Sequence, residues 1–209
     1  MSIEYVDLEV AKQDDGLRMV VVPGVPSPWG EAAKGILYVK RIPWLAVRLD
    51  QGSEAMAAWT GGERSGPVAM YASEAPRKGW AEILLLAERL SPASSLLPAD
   101  AGDRALAFGL SHEICGEMGL GWCRRNLGVH AGLHEGGGFP KGVAHYLGQK
   151  YGYRSEEGEL YAARVIDILE SLAARLHAQR AAGERFYLGN SLSAVDLYSA
   201  TFMALFKPL

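Results

Sequence analysis

Cysteine is nearly missing from this sequence: among 209 residues there are only Cys115 and Cys123. Two thiols build no disulfide framework, and they lack the closely spaced pairs of a structural zinc site. The sequence therefore predicts two reduced, buried thiols. Long apolar runs are missing as well. No stretch approaches the roughly 18 uninterrupted apolar residues of a membrane span. The opening MSIEYVDLEVAKQDDG carries acids where a secretion signal is basic and then apolar. The expectation is a soluble, cytoplasmic protein that does not engage membranes. Charge of one sign is also lacking, since 21 Lys and Arg against 24 Asp and Glu leave a net charge of -3. With both signs interspersed, there is no basic footprint for nucleic acid. What the chain does have is 49% hydrophobic residues, enough to bury one large core or two small ones.

Read from its start, the chain predicts a hairpin: Ile3 to Val10 alternates, Asp15-Gly16 is a turn signal, and Leu17 to Val22 is a nearly continuous apolar strand. After Pro23-Gly24-Val25-Pro26, Ser27 can cap a helix with Pro28 in its first turn. That helix runs to about Lys40 and ends before Pro43. Trp44 to Leu49 reads as a strand, Ser53 opens a short helix, and Gly61-Gly62 closes it. Val68 to Tyr71 is a strand behind Gly66-Pro67, followed by a second short strand ending near Pro76. Trp80 to Leu90 has helical period. Strands alternating with helices predict an α/β layer with parallel and antiparallel members. Ser91 to Asp103 turns to Ser, Pro, Ala and Asp and reads as a linker. Beyond it the period is helical over Arg104 to Asn126, Glu157 to Arg180 and Ser193 to Lys207. Between the first two lies a Gly-rich stretch, 128–158, read as either a functional or a mobile loop. The domain division is therefore 1–90, a linker at 91–103, and a helical domain at 104–209.

Four segments in order resemble the glutathione S-transferase family. Ser27-Pro28-Trp29 is similar to the Ser-Pro-aromatic motif of the plant tau-type enzymes. Lys40-Arg41-Ile42-Pro43-Trp44 with Val47-Arg48-Leu49-Asp50 resembles the passage from first helix to second strand. Gly66-Pro67-Val68 stands at the place of the family's cis-proline. Ser193-Ala194-Val195-Asp196 resembles the capping box of its sixth helix. This box has its own physics: Ser193 and Asp196 can each satisfy the other's backbone N–H, with Leu192 and Leu197 as a hydrophobic staple. The resemblance implies a thioredoxin-like α/β domain with an extra N-terminal strand, followed by an all-α domain. It also implies glutathione as co-substrate, a small apolar electrophile, and a homodimer.

By the same resemblance, Ser27 is the catalytic residue, and Gly66, Pro67 and Val68 offer backbone to the cysteinyl part of glutathione. Arg77, Lys78 and Trp80 stand on the wall where the family holds the γ-glutamyl end, and read either as receiving a carboxylate there in another way or simply as solvated side chains. Ser27 read from spacing alone is a helix cap, its hydroxyl accepting from the backbone. As a thiol partner it would donate to sulfur instead. A thiol ionises near pH 8.5, and a two-unit decrease requires about 2.7 kcal/mol of preference for the anion. A helix N-terminus supplies only about 0.3–1 kcal/mol. A hydroxyl donor adds about 1.5–3 kcal/mol, so the two together reach the requirement. Two departures stand against the pattern. The family opens its third helix with an acidic residue and Ser that hold the γ-glutamyl end, whereas this chain has Lys78-Gly79 or Gly79-Trp80 there. Leu209 follows directly on the last helix, where the family adds more, so the helical half is either truncated or abbreviated. The alternative is thus a binding or interaction protein that keeps the fold without the tripeptide site. His130 and His134 stand one helical turn apart but have no third ligand at useful spacing, and no metal site is expected. A thiol oxidoreductase would need a cysteine where Ser27 stands.

Overall fold

The computed structural model describes residues 3–207. The chain divides into two compact units, Met1–Leu97 and Pro98–Leu209. The outermost residues 1–2 and 208–209 of the predicted domains lie outside the described range.

The first unit is an α/β layer. Its elements are β1 (Tyr5–Val6), α1 (Leu8–Gln13), β2 (Leu17–Val21), α2 (Pro28–Val39), β3 (Trp44–Arg48), α3 (Glu54–Trp59), β4 (Val68–Tyr71) and α4 (Trp80–Leu90). The strands lie in the order β1-β3-β2-β4. β3 runs parallel to both β1 and β2, and β4 is antiparallel to β2. Every residue of β2 is buried, Arg18 included, as its nearly continuous apolar run predicts for a strand covered on both faces. One face packs a core of Ala11, Val20, Val47, Leu49, Met56, Val68 and Met70. α2 packs against α4.

The predicted hairpin at the start does not form. β1 keeps only two residues and sits at the sheet edge beside β3, because β2 is already flanked by β3 and β4. Leu8 to Gln13 instead closes a helical turn that buries Ala11 completely. A Glu9–Lys12 pair at 2.7 Å lies along its exposed side. Asp14 Oδ1 then accepts the Gly16 N–H at 2.7 Å, turning the chain into β2. The second short strand expected near Pro76 is likewise reduced. Ala72 takes a positive φ of 46°, and only one bridge remains, in which Ala69 and Arg77 exchange two backbone bonds of 2.9 Å.

The end of α2 is tied to α4 by a buried ion pair. Lys40 Nζ, on a fully buried side chain, lies 2.7 Å from Glu88 Oε1 and donates to Ser94 O at 2.7 Å. Glu88 also accepts the Leu96 N–H at 2.9 Å and the Ser95 hydroxyl at 2.6 Å. The segment expected as a linker is therefore pinned to α4 through its middle, and the division between units falls after Leu97.

The second unit is helical: α5 (Ala101–Cys115), α6 (Leu120–His130), α7 (Lys141–Lys150), α8 (Gly158–Ala181) and α9 (Ala194–Met203). The single helix expected over Arg104 to Asn126 is broken in two. Met118 adopts φ 57°, and a Cβ on Gly119 would stand 2.7 Å from Glu113 O and 2.8 Å from His112 O. The chain passes so close over the end of α5 that glycine is required there. The Gly-rich stretch is folded rather than an open loop. α6 runs into a π-helical turn, Ala131–Glu135, and α7 follows. A Cβ on Gly132 would meet Phe139 O at 2.3 Å, and one on Gly138 would meet Gly128 O at 2.3 Å. Gly132 and Gly138 thus serve close backbone approach. Val129, Ala144 and Leu147 form the local core, with Leu133, Phe139, Tyr151 and Tyr153 against it. At the start of α9 the carboxylate arm of the expected capping box is present, with Asp196 Oδ2 accepting the Ser193 N–H at 2.8 Å; the Ser193 hydroxyl donates to the same oxygen at 2.6 Å and makes no capping bond to the helix backbone. Asp196 Oδ1 also takes the Tyr187 N–H at 3.0 Å, tying the preceding loop to the helix.

Candidate functional site

Ser27 stands at the N-terminus of α2 with extended backbone, φ -79° and ψ 122°. Its carbonyl accepts the Glu31 N–H at 2.7 Å. Its hydroxyl makes no capping hydrogen bond. This contrasts with Ser53, whose Oγ accepts the Met56 N–H at 3.1 Å at the start of α3. The two serines head helices in the same way, and only one of them spends its hydroxyl on the backbone. Ser27 is half-buried, and a Cβ on Gly30 would lie 4.0 Å from its Oγ, so the hydroxyl lies along the first turn of α2.

Gly66, Pro67 and Val68 lead into β4, and the Gly66–Pro67 peptide is cis. A Cβ on Gly66 would stand 3.1 Å from Val20 O and 3.4 Å from both Val21 Cα and Val22 N. Gly66 thus lies flat against the end of β2, from which the chain runs through Pro23 to Ser27. The absence of a side chain brings this strand entry up to the segment that leads to α2.

Arg77, Lys78, Gly79 and Trp80 occupy the turn between the Ala69–Arg77 bridge and α4. The bridge places the start of α4 alongside the entry to β4. Gly79 is the N-cap and Trp80 the first helical residue. Neither Arg77 nor Lys78 presents an unengaged cation. Arg77 Nη2 lies 2.6 Å from Glu74 Oε2, which Arg89 also holds at 2.6 Å, and Lys78 Nζ donates to Gly61 O at 2.7 Å. The residue that sequence reasoning missed is Glu82. Glycine has no side chain to cap with, but the carboxylate arm of a capping box is present. Glu82 Oε2 accepts the Lys78 N–H at 2.8 Å and the Gly79 N–H at 3.0 Å. These bonds, from Gly79 first and then Lys78, hold its carboxyl below the usual carboxylate value. The signal was in the sequence as a Glu three residues after the helix-opening position, hidden because that position is Gly rather than Ser or Thr.

His130 Nδ1 lies 2.8 Å from Tyr153 Oη, and His134 Nε2 lies 3.1 Å from Ser155 Oγ. Among the described residues no group of three His, Cys, Asp or Glu could hold a metal ion. Cys115 and Cys123 are both buried and form no disulfide. Burial pushes the Cys123 thiol up to about 11 and Cys115 well above its ordinary value, so both stay protonated and unreactive at neutral pH. No helix among the described residues is long and apolar enough to cross a membrane.

No protein-family model matches the chain by sequence, and no curated protein does either. Solved structures do match by fold. A glutathione S-transferase from Methylobacillus flagellatus with glutathione bound is 14% identical, with a TM-score of 0.66 over 91% of this chain and 83% of that one. A glutathione transferase from Burkholderia graminis, with two glutathione molecules bound per subunit, is 16% identical with a TM-score of 0.65 over 92% and 74% of the chains. A tau-class glutathione S-transferase from mango, Mangifera indica, is 19% identical with a TM-score of 0.55 over 90% and 74%. A mixed four-stranded sheet with its helices, followed by an all-helical unit, thus gives this chain the glutathione-transferase fold: a thioredoxin-like amino-terminal domain and a helical carboxy-terminal one.

Proposed function

We propose that this protein binds glutathione in its amino-terminal unit and joins the thiol to a small apolar electrophile, with Ser27 as the catalytic residue. The observation that carries the proposal is the Ser27 hydroxyl, which heads α2 without making the capping bond. That hydroxyl remains available to donate to a sulfur anion, and the N-terminus of α2 adds its dipole. Together they supply roughly the 2.7 kcal/mol that ionisation near neutral pH requires. The thiol proton leaves to solvent, and sulfur then attacks the electrophilic carbon. As the new S–C bond forms, the leaving group departs with the electron pair of the broken bond. Gly66, Pro67 and Val68 supply backbone for the cysteinyl part, and Arg77 and Trp80 form the wall toward α4. Structural neighbours with glutathione bound support the reading.

The thiol end of glutathione fits what Ser27 offers, but the glutamyl end meets a start of α4 already occupied by Glu82. That occupation favours the second reading, a non-catalytic binding or interaction protein of the same fold. An affinity column carrying immobilised glutathione separates the two, with retention and elution by free glutathione expected. For catalysis the test is Ser27→Ala against a nitro-activated aryl chloride. Losing a hydrogen bond of roughly 1.5–3 kcal/mol predicts about a ten- to hundredfold loss of turnover at neutral pH. The loss shrinks at alkaline pH, where the thiol ionises unaided. An equal loss at every pH would assign Ser27 to stability alone, and absence of both binding and turnover in the unmodified protein would leave only the second reading.

A further inference from the structure

A helix leaves its first backbone N–H groups without partners, and these ordinarily receive an anion or a capping side chain. At α4 they are taken from within the chain. Glu82 Oε2 sits on the Lys78 and Gly79 N–H groups at 2.8 and 3.0 Å, and the ionised carboxylate is fixed there by both bonds. The adjacent cations are also engaged, Arg77 with Glu74 and Lys78 with Gly61 O. The turn they occupy leaves the Ala69–Arg77 bridge, one residue beyond Val68. A ligand lying along Gly66 to Val68 therefore has this corner next to it. A second carboxylate brought to the same N–H groups has to displace Glu82 or stand beside a like charge.

We propose that Glu82 is a specificity-determining residue that closes the start of α4 to a carboxylate, so that this site favours a thiol whose end at α4 is neutral: an amide or an ester rather than a free acid. The inference rests on the thiol-binding reading above and sharpens it by naming the chemical class of the co-substrate. Repulsion between two partly solvated carboxylates at such separations corresponds to about a three- to tenfold change in affinity. Glu82 acts by excluding and orienting, with no role at the reacting sulfur.

The experiment is calorimetric titration of the full chain with glutathione and with the analogue whose glutamyl α-carboxylate is an amide. The unmodified protein should bind the amide about three- to tenfold more tightly. Glu82→Ala uncovers the two N–H groups and should reverse the order. Glu82→Gln keeps an oxygen acceptor on those groups while losing the charge, and should bind the two ligands about equally. Thermal unfolding of each variant identifies any that fails to fold, and the comparison of ligands on the unmodified protein needs no variant at all. If that protein prefers glutathione over the amide tenfold or more, Glu82 is only a helix cap and the inference is overturned while the thiol-binding reading stands. If neither ligand binds the unmodified protein or Glu82→Ala, the thiol-binding reading itself fails and takes this inference with it.

Discussion

Removing Glu88 should destabilise the amino-terminal unit far more than removing its partner Lys40. The asymmetry follows from what each leaves behind. Glu88→Ala strips three bonds at once: the Lys40 ammonium at 2.7 Å, the Leu96 N–H at 2.9 Å and the Ser95 hydroxyl at 2.6 Å. Lys40, whose side chain is 0% exposed, would keep one carbonyl, Ser94 O. An uncompensated buried charge of this kind costs about 3–5 kcal/mol. Lys40→Met keeps the buried stem volume and leaves a carboxylate that is 14% exposed with two donors still in place, for which about 1–3 kcal/mol is expected. Urea unfolding followed by tryptophan fluorescence reads this directly, because Trp29, Trp44, Trp59 and Trp80 all lie in the first unit and only Trp122 in the second. The pH dependence has a fixed sign. Burial alone would raise the Glu88 carboxyl, but the Leu96 N–H, Lys40 and Ser95 outweigh it and hold the value below the ordinary one. A depressed folded value means that the contribution is present above the unfolded carboxyl's pKa of about 4.3 and is lost as pH falls through the folded value. The stability gap between the unmodified protein and Glu88→Ala should therefore be full at pH 7 and narrow on acidification below about pH 4. Equal losses from the two substitutions, or a gap unchanged at low pH, would refute the argument that this pair is buried and bonded as described.

Asp196→Ala removes acceptors for the Ser193 N–H, the Ser193 hydroxyl and the Tyr187 N–H. The denaturant midpoint of the helical unit should fall by an amount corresponding to about 1–3 kcal/mol, with glutathione affinity nearly unmoved. Gly132→Ala places a methyl 2.3 Å from Phe139 O, so the π-turn has to open. Faster amide exchange over 128–150 is the expected result, and unchanged protection would mean that the turn is not closed as described.

Much of the amino-terminal half was legible in the chain. The apolar run at Leu17 specified a strand buried on both faces. Ser27-Pro28 and Pro43 bracketed α2, and Gly61-Gly62 closed α3, because capping and breaking act over a few residues and need no tertiary partner. The Ser193-Ala194-Val195-Asp196 box is legible for the same reason. What the sequence left undetermined depends on neighbours distant in the chain. Ile3 to Val10 alternates like a strand, yet pairing belongs to the partner as much as to the segment. Once β3 and β4 occupy both edges of β2, the segment is left two residues at the rim and coils for the rest. Helical period runs unbroken through Arg104 to Asn126, while the break at Met118 comes from backbone crossing over the end of α5. The Gly-rich composition of 128–158 left a functional and a mobile loop equally open, whereas packing uses Gly128, Gly132 and Gly138 for close contact, a distinction that composition does not carry. At the site, local sequence determined that Ser27 heads a helix and that Pro67 precedes a strand. Only the tertiary structure decided that Ser27 leaves its hydroxyl off the backbone and that Glu82 fills the start of α4, because which acceptor meets which N–H is settled by how the turns close in space.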